Sequence, residues 1–223
     1  LNTAVGYETL RLNVDGSYNT AIGYQALETF DGSSLNDGGN TAVGANCLQA
    51  LTNGQFNVGI GYLAGGNLTE GGYNICIGKE ALATSTVGEN ANIMIGYQAG
   101  ASIRHDDCDQ NIGIGHLAFT GGTGDMTNSI AIGAYALNST AGNGSSGQIA
   151  IGNNALTAMA SGGANTCIGY SAGNTLVAKV FDNTGKNIVI LGGAGELTTD
   201  YQIMTVKLTS DVLSLQYNQN TEA

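Results

Sequence analysis

Polar and apolar positions along this chain recur in one nine-residue pattern, present ten times at spacings of 17 to 21 residues. It reads Asn, a β-branched residue, a small residue, Ile or Val, Gly, two variable residues, Ala, then Leu or Gly. Its clearest copies are Asn19-Thr-Ala-Ile-Gly-Tyr-Gln-Ala-Leu27 and Asn92-Ile-Met-Ile-Gly-Tyr-Gln-Ala-Gly100. The pattern glycines are Gly6, Gly23, Gly44, Gly61, Gly78, Gly96, Gly115, Gly133, Gly152 and Gly169. Val or Ile precedes each of them, and a small residue stands one step earlier, Met94 excepted. The alternation has period two, which predicts a short strand in each copy. A fixed period of this length predicts an all-β solenoid, with each copy one coil stacked on the last.

The two faces of such a strand differ. Ile75 and Ile77 are bulky, and Cys76 between them is small. The bulky face is expected to fill the coil, and the Ala/Gly/Cys face to meet another backbone. Gly after the strand permits a sharp turn, since it has no Cβ to clash at positive φ. The Ala-Leu that follows fits a second short strand returning across the coil. Lys79-Glu-Ala-Leu-Ala-Thr84 has helical propensity but is too short for an independent helix, so it reads as strand or turn. Asn heads eight copies, and Ser129 and Gln148 head the other two. Stacked at one corner, these side chains predict a polar ladder from coil to coil.

Residues 1–175 form the repeat array. Residues 176–223 have another texture and read as a β-rich cap or the start of a second β domain. There Val180 to Leu191 suggests a hairpin turning at Asn183-Thr-Gly185, with further strands at Tyr201–Leu208 and Val212–Tyr217. Polar linkers separate the copies, notably Phe30–Gly39, Thr120–Thr127 and Asn138–Gly147. Insertions in solenoids collect on one side and often form the binding face. Leu1 lies inside a repeat, and an uncapped first coil exposes a strand edge, so structure upstream is expected.

Composition narrows the function. Of 223 residues, 36 are Gly, none is Pro or Trp, and only 10% are charged. The net charge is −11 with six Lys and Arg, which argues against nucleic-acid binding. No apolar run approaches the roughly 20 residues that span a bilayer, so no membrane insertion is expected. Cys47, Cys76 and Cys167 occupy small-residue positions and read as buried hydrophobes, while Cys108 falls in a loop.

A coil of about 18 residues encloses a thin core and leaves a face uncovered, which predicts a homotrimer. Ten rungs at about 4.8 Å give a rod of roughly 48 Å.

The repeat Asn-Thr-Ala-Ile-Gly-Tyr-Gln-Ala-Leu resembles those of phage tail fibres and of trimeric autotransporter adhesin heads. In the adhesin heads a similar Asn-x-x-Ala-Ile-Gly motif builds a left-handed parallel β-roll trimer. The longer period and the Gly-Tyr-Gln-Ala-Leu extension are more similar to tail-fibre repeats, which often precede a self-cleaving chaperone not visible in this chain. The resemblance covers residues 1–175. It implies a structural and receptor-binding segment of a phage or phage-like tail fibre, outside the cell on a virion. Its implied partners are two further copies, other tail or fibre proteins, and a host-surface glycan or protein. A bacterial surface adhesin is the alternative, and a polysaccharide depolymerase tailspike is a further one. Ice binding by a Thr array is disfavoured, since Thr holds the relevant position only at Thr3, Thr20, Thr41 and Thr166.

Candidate chemistry is sparse. Gly59-x-Gly61 and Gly113-x-Gly115 mimic part of a dinucleotide loop but fall on repeat positions without a strand–helix context. His105, Asp106, Asp107 and Asp109 could ligate a metal, yet adjacent loop residues rarely converge on one ion. Tyr7, Tyr24, Tyr62, Tyr97 and Tyr170 share one column. They read as a structural stack, with a sugar-binding strip as the alternative. No catalytic set, cofactor site or metal site is expected, and the receptor-binding residues are not fixed by the sequence.

Overall fold

The computed structural model describes residues 1–32, 38–84, 89–103, 108–120, 126–138, 146–157 and 164–173, and strands at 188–190, 204–209 and 212–217. Each repeat contributes one three-residue strand. These are β1 (Thr3–Val5), β2 (Thr20–Ile22), β3 (Thr41–Val43), β4 (Val58–Ile60) and β5 (Ile75–Ile77). They continue as β6 (Ile93–Ile95), β7 (Ile112–Ile114), β8 (Ile130–Ile132), β9 (Ile149–Ile151) and β10 (Thr166–Ile168). All pair in parallel in sequence order, with equivalent residues level, as in Ala21↔Ala42 and Ile75↔Ile93. The fold is a parallel β-solenoid, and no helix occurs among the described residues.

The sheet extends past residue 175. Strand β11 (Ile188–Ile190) pairs in parallel with β10. The turn expected at Asn183–Gly185 lies outside the described residues. Strands β12 (Met204–Thr209) and β13 (Val212–Tyr217) form an antiparallel pair.

The strand faces are the reverse of the sequence expectation. The middle residues point inward: Ala21, Ala42, Cys76, Met94, Ala131, Ala150 and Cys167 have no exposed surface. The bulky residues on either side, such as Ile75 and Ile77, lie on the outer face and are only partly covered. Space decides this. The coil interior already holds an Ala column (Ala26, Ala64, Ala81, Ala99) and a Leu column (Leu27, Leu48, Leu82, Leu137, Leu156), all fully buried. A Cβ built on Gly59 would stand 2.5 Å from Cys47 Sγ and 2.9 Å from Leu48 Cγ. At Gly59 even a methyl group does not fit, and most other rungs fill this space with Ala or Cys, so no room is left for an Ile column. The Ala/Gly/Cys column therefore cannot meet other chains.

Met94, the exception in its column, is accommodated by two glycines. Cβ atoms on Gly100 and Gly113 would lie 2.7 and 2.6 Å from Met94 Sδ. Gly100 stands where most copies carry Leu, and Gly113 is the level neighbour of Met94 on the next strand. Core volume is thus traded between adjacent rungs, as close packing requires.

The return segment is a turn path, not a second strand. After the pattern glycine, alternate residues take left-handed backbone: Gln25 has φ 53° and Leu27 φ 49°, and Glu80 and Leu82 have 57° and 51°. Left-handed backbone costs an ordinary residue about 1 kcal/mol or more. Hydrogen bonds in both directions offset it. Gln25 N–H donates back to Tyr7 O (2.8 Å), and Leu27 N–H donates forward to Cys47 O (3.0 Å). The ten pattern glycines all have φ between 127° and 140° and carry the chain from strand to turn. A Cβ on Gly61 would come within 2.7 Å of Gly78 O on the next rung.

The polar ladder runs unbroken through ten rungs. The backbone N–H of Asn19, Asn40, Asn57, Asn74, Asn92, Asn111 and Ser129 each donates to the Asn Oδ1 of the rung before, at 2.9–3.0 Å. Ser129 Oγ then accepts from Gln148 N–H, and Gln148 Oε1 from Asn165 N–H, both at 3.1 Å. The amide nitrogens also donate to linker carbonyls, as Asn92 Nδ2 does to Cys108 O (2.8 Å). From Asn19 to Asn165 these side chains are essentially fully buried.

Two outcomes follow. Asn92→Ala removes the acceptor of the buried Asn111 N–H and a donor to Cys108 C=O, so it should cost roughly 2–5 kcal/mol, read from the urea midpoint. Met94→Ala should cost roughly 2–5 kcal/mol through the cavity it leaves. Adding Gly100→Leu to it restores the usual Ala/Leu arrangement, and the double variant should be more stable than Met94→Ala alone. The two single costs failing to add is the diagnostic in a double-mutant cycle.

Candidate binding surfaces

Outside the core, the chain presents a flat strand face, two edges beside it, and the linker side. On the strand face the alternation of covered and exposed residues runs without a break from Tyr18 to Tyr24. Thr20 and Ile22 therefore share a face, and their equivalents form two columns of Thr, Val and Ile over ten rungs. No charged residue occurs in either column. Val5, Ile22, Ile60, Ile132 and Ile168 are 37–58% exposed.

The edge after each pattern glycine carries the tyrosine column. Tyr7 and Tyr24 stack at 5.5 Å between ring centroids with planes 10° apart. Tyr97 and the His116 ring stack at 5.2 Å, and Lys79 Nζ lies 5.5 Å from the Tyr97 centroid. Rings on adjacent rungs do stack, but Tyr7, Tyr24, Tyr62, Tyr97 and Tyr170 remain 40–65% exposed. Stacking leaves their outer faces available.

The opposite edge carries aromatic residues that the repeat pattern passes over. Tyr18, Phe56 and Tyr73 each precede a ladder Asn and are 72, 52 and 55% exposed. The signal was present: extending the alternation one residue upstream of Asn places them outward.

On the linker side, Leu63, Glu80, Ala83, Gln98, Ala101 and Thr120 help line an open recess of about 510 Å³. Gln98 Nε2 donates to Glu80 Oε2 (2.6 Å), and Lys79 Nζ pairs with Glu80 Oε1 (3.3 Å). The Gln98 amide, seconded by Lys79, holds the Glu80 carboxyl below its usual range. The walls offer amide, hydroxyl and carboxylate groups over an alanine floor.

Most of the linker positions singled out from sequence, including 33–37, 121–125 and 139–145, lie outside the described residues. So do Arg104, His105, Asp106 and Asp107 of the polar loop. Asp109 is described, and its Oδ1 accepts from Asn90 N–H (2.6 Å). Among the described residues no three His, Cys, Asp or Glu side chains group as metal ligands. No helix among them is long and apolar enough to cross a membrane.

All four cysteines are free thiols and buried, Cys108 included. Burial pushes the Cys47 thiol up to about 12 and Cys167 to about 11, and raises Cys76 as well. At pH 8 these three remain protonated, so the native protein should resist a thiol reagent at Cys47, Cys76 and Cys167. The same sites should react fully in denaturant, as followed by mass spectrometry of modified peptides.

No family model, curated protein or solved structure matches this chain.

Proposed function

We propose that this chain is the rod of a trimeric attachment fibre of the phage tail-fibre kind. In this reading its linkers meet a receptor on the host surface, and the chain performs no catalysis. The observation that carries the reading is the uncharged strand face with its ten outward Ile and Val residues. An apolar surface of that extent is uncommon on a soluble monomer and marks an interaction face. Packed around an axis along the rod, three copies cover it. The contact is then the outer Ile/Val face, not the Ala/Gly/Cys column. A stiff solenoid with variable linkers on another side suits a spacer that also displays recognition loops.

Light scattering should give three times 22.5 kDa. Ile60→Glu with Ile132→Glu places charges on the covered face, and burying an unpaired charge costs several kcal/mol. The double variant should run as a folded monomer with an unchanged circular dichroism spectrum. A wild-type monomer would sink the trimeric reading. Deleting residues 121–125 or 139–145 should weaken binding of the trimer to host cells without dissociating it, and host polysaccharide incubated with it should keep its size.

A further inference from the structure

We propose that Tyr7 and Tyr24 form an oxidative modification site, at which a peroxidase using hydrogen peroxide joins the two phenol rings into dityrosine. The bond staples the first rung of the coil to the second. It is independent of the trimeric reading, since both rings belong to one chain.

The repeat places these rings together. Tyr7 follows Gly6 and Tyr24 follows Gly23, so they stand at the same position on consecutive rungs. Gln25 N–H donates to Tyr7 O at 2.8 Å, which holds the two backbones at rung spacing, about 4.8 Å. The rings stack at 5.5 Å between centroids with planes 10° apart, and they are 65 and 50% exposed. Among the described ring pairs, this one alone sets phenol against phenol. Phe56 lies against Tyr73, and Tyr97 and Tyr135 each lie against His116. Tyr62 is 49% exposed, but Ala45 and Lys79 hold its position on the rungs to either side. Exposure is common along the column, whereas a partner phenol is not.

The chemistry needs peroxide and the peroxidase, and nothing else. Each phenol gives up one hydrogen atom to the oxidised enzyme, and the radical left behind carries spin on the ring carbons ortho to oxygen. Two such radicals on neighbouring rungs couple through those carbons and form one C–C bond. The hydrogen on each joined carbon then moves to its own oxygen, which restores both phenols. The pair has lost two hydrogen atoms, and one hydrogen peroxide takes them up as two waters. Holding the rings side by side raises their effective concentration above that of phenols on separate molecules. Glu8 assists the first step. Its carboxylate accepts hydrogen bonds from the Tyr7 hydroxyl and from Gln25 Nε2 (2.7 Å), so a base stands beside the phenol proton as the electron leaves. Solvent on the outer side leaves the rings free to tilt until their ortho carbons meet.

Peptide mapping tests the site. The folded protein, treated with a haem peroxidase and hydrogen peroxide, should gain dityrosine fluorescence, lose the mass of two hydrogens and still run at 22.5 kDa on a denaturing gel. Trypsin, which cuts after Arg11 and Lys79, should then release residues 1–11 joined to residues 12–79. Tyr7 is the only tyrosine of the first peptide, and fragmentation should place the bond in the second at Tyr24. Tyr7→Phe and Tyr24→Phe, which keep a ring in the stack, should each lose the joined peptide, and Tyr62→Phe should keep it. In urea the coupling of Tyr7 should lose its preference for Tyr24 and spread over Tyr18, Tyr62 and Tyr73. Absence of the joined peptide from folded protein, its appearance only in a covalent dimer, or the same preference for Tyr24 in urea overturns the proposal.

Discussion

The buried amide ladder is the constraint on which the coil depends. A thin solenoid turns its backbone sharply at every corner, and corners leave N–H and C=O groups that no strand can satisfy. Asn carries an acceptor and a donor on one short side chain. Its Oδ1 takes the N–H of the next rung while its Nδ2 reaches a linker carbonyl, as at Asn57, Asn74 and Asn92. Every rung is placed by the one before it. Ser129 and Gln148 keep the chain of acceptors intact with a hydroxyl and a longer amide. Strand register, the level stacking of Ala and Leu, and the alignment of the outer columns follow from that corner.

This dependence explains what the sequence discloses. The ladder and the parallel stack were legible because Asn, Ile and Gly recur in fixed order, and such order has few physical meanings. The direction of the strand faces was not. Alternation distinguishes two faces but does not say which has room, and the available room is set by the return segment. That segment was itself obscured, since Gln25, Leu27, Glu80 and Leu82 are ordinary residues in left-handed backbone. Their conformation is imposed by bonds to the rungs above and below, so no local propensity announces it. Met94 looked like a departure from the pattern until Gly100 and Gly113 accounted for its volume.

The binding surfaces were legible in part. The tyrosines after the pattern glycine formed an evident column, whereas Tyr18, Phe56 and Tyr73 sit one residue before the motif and are found only when the alternation is extended upstream. The linkers obey no period, so they carry the variation that a repeat cannot.

The ladder also has a mechanical meaning. The bonds between rungs point along the rod, so tension on a fibre loads all the bonds of one joint together, and joints along the chain bear the same force in series. Such a rod is as strong as its weakest joint. Between most rungs the ladder is an amide that bonds to both neighbours. Between the eighth and ninth rungs the acceptor is instead the hydroxyl of Ser129.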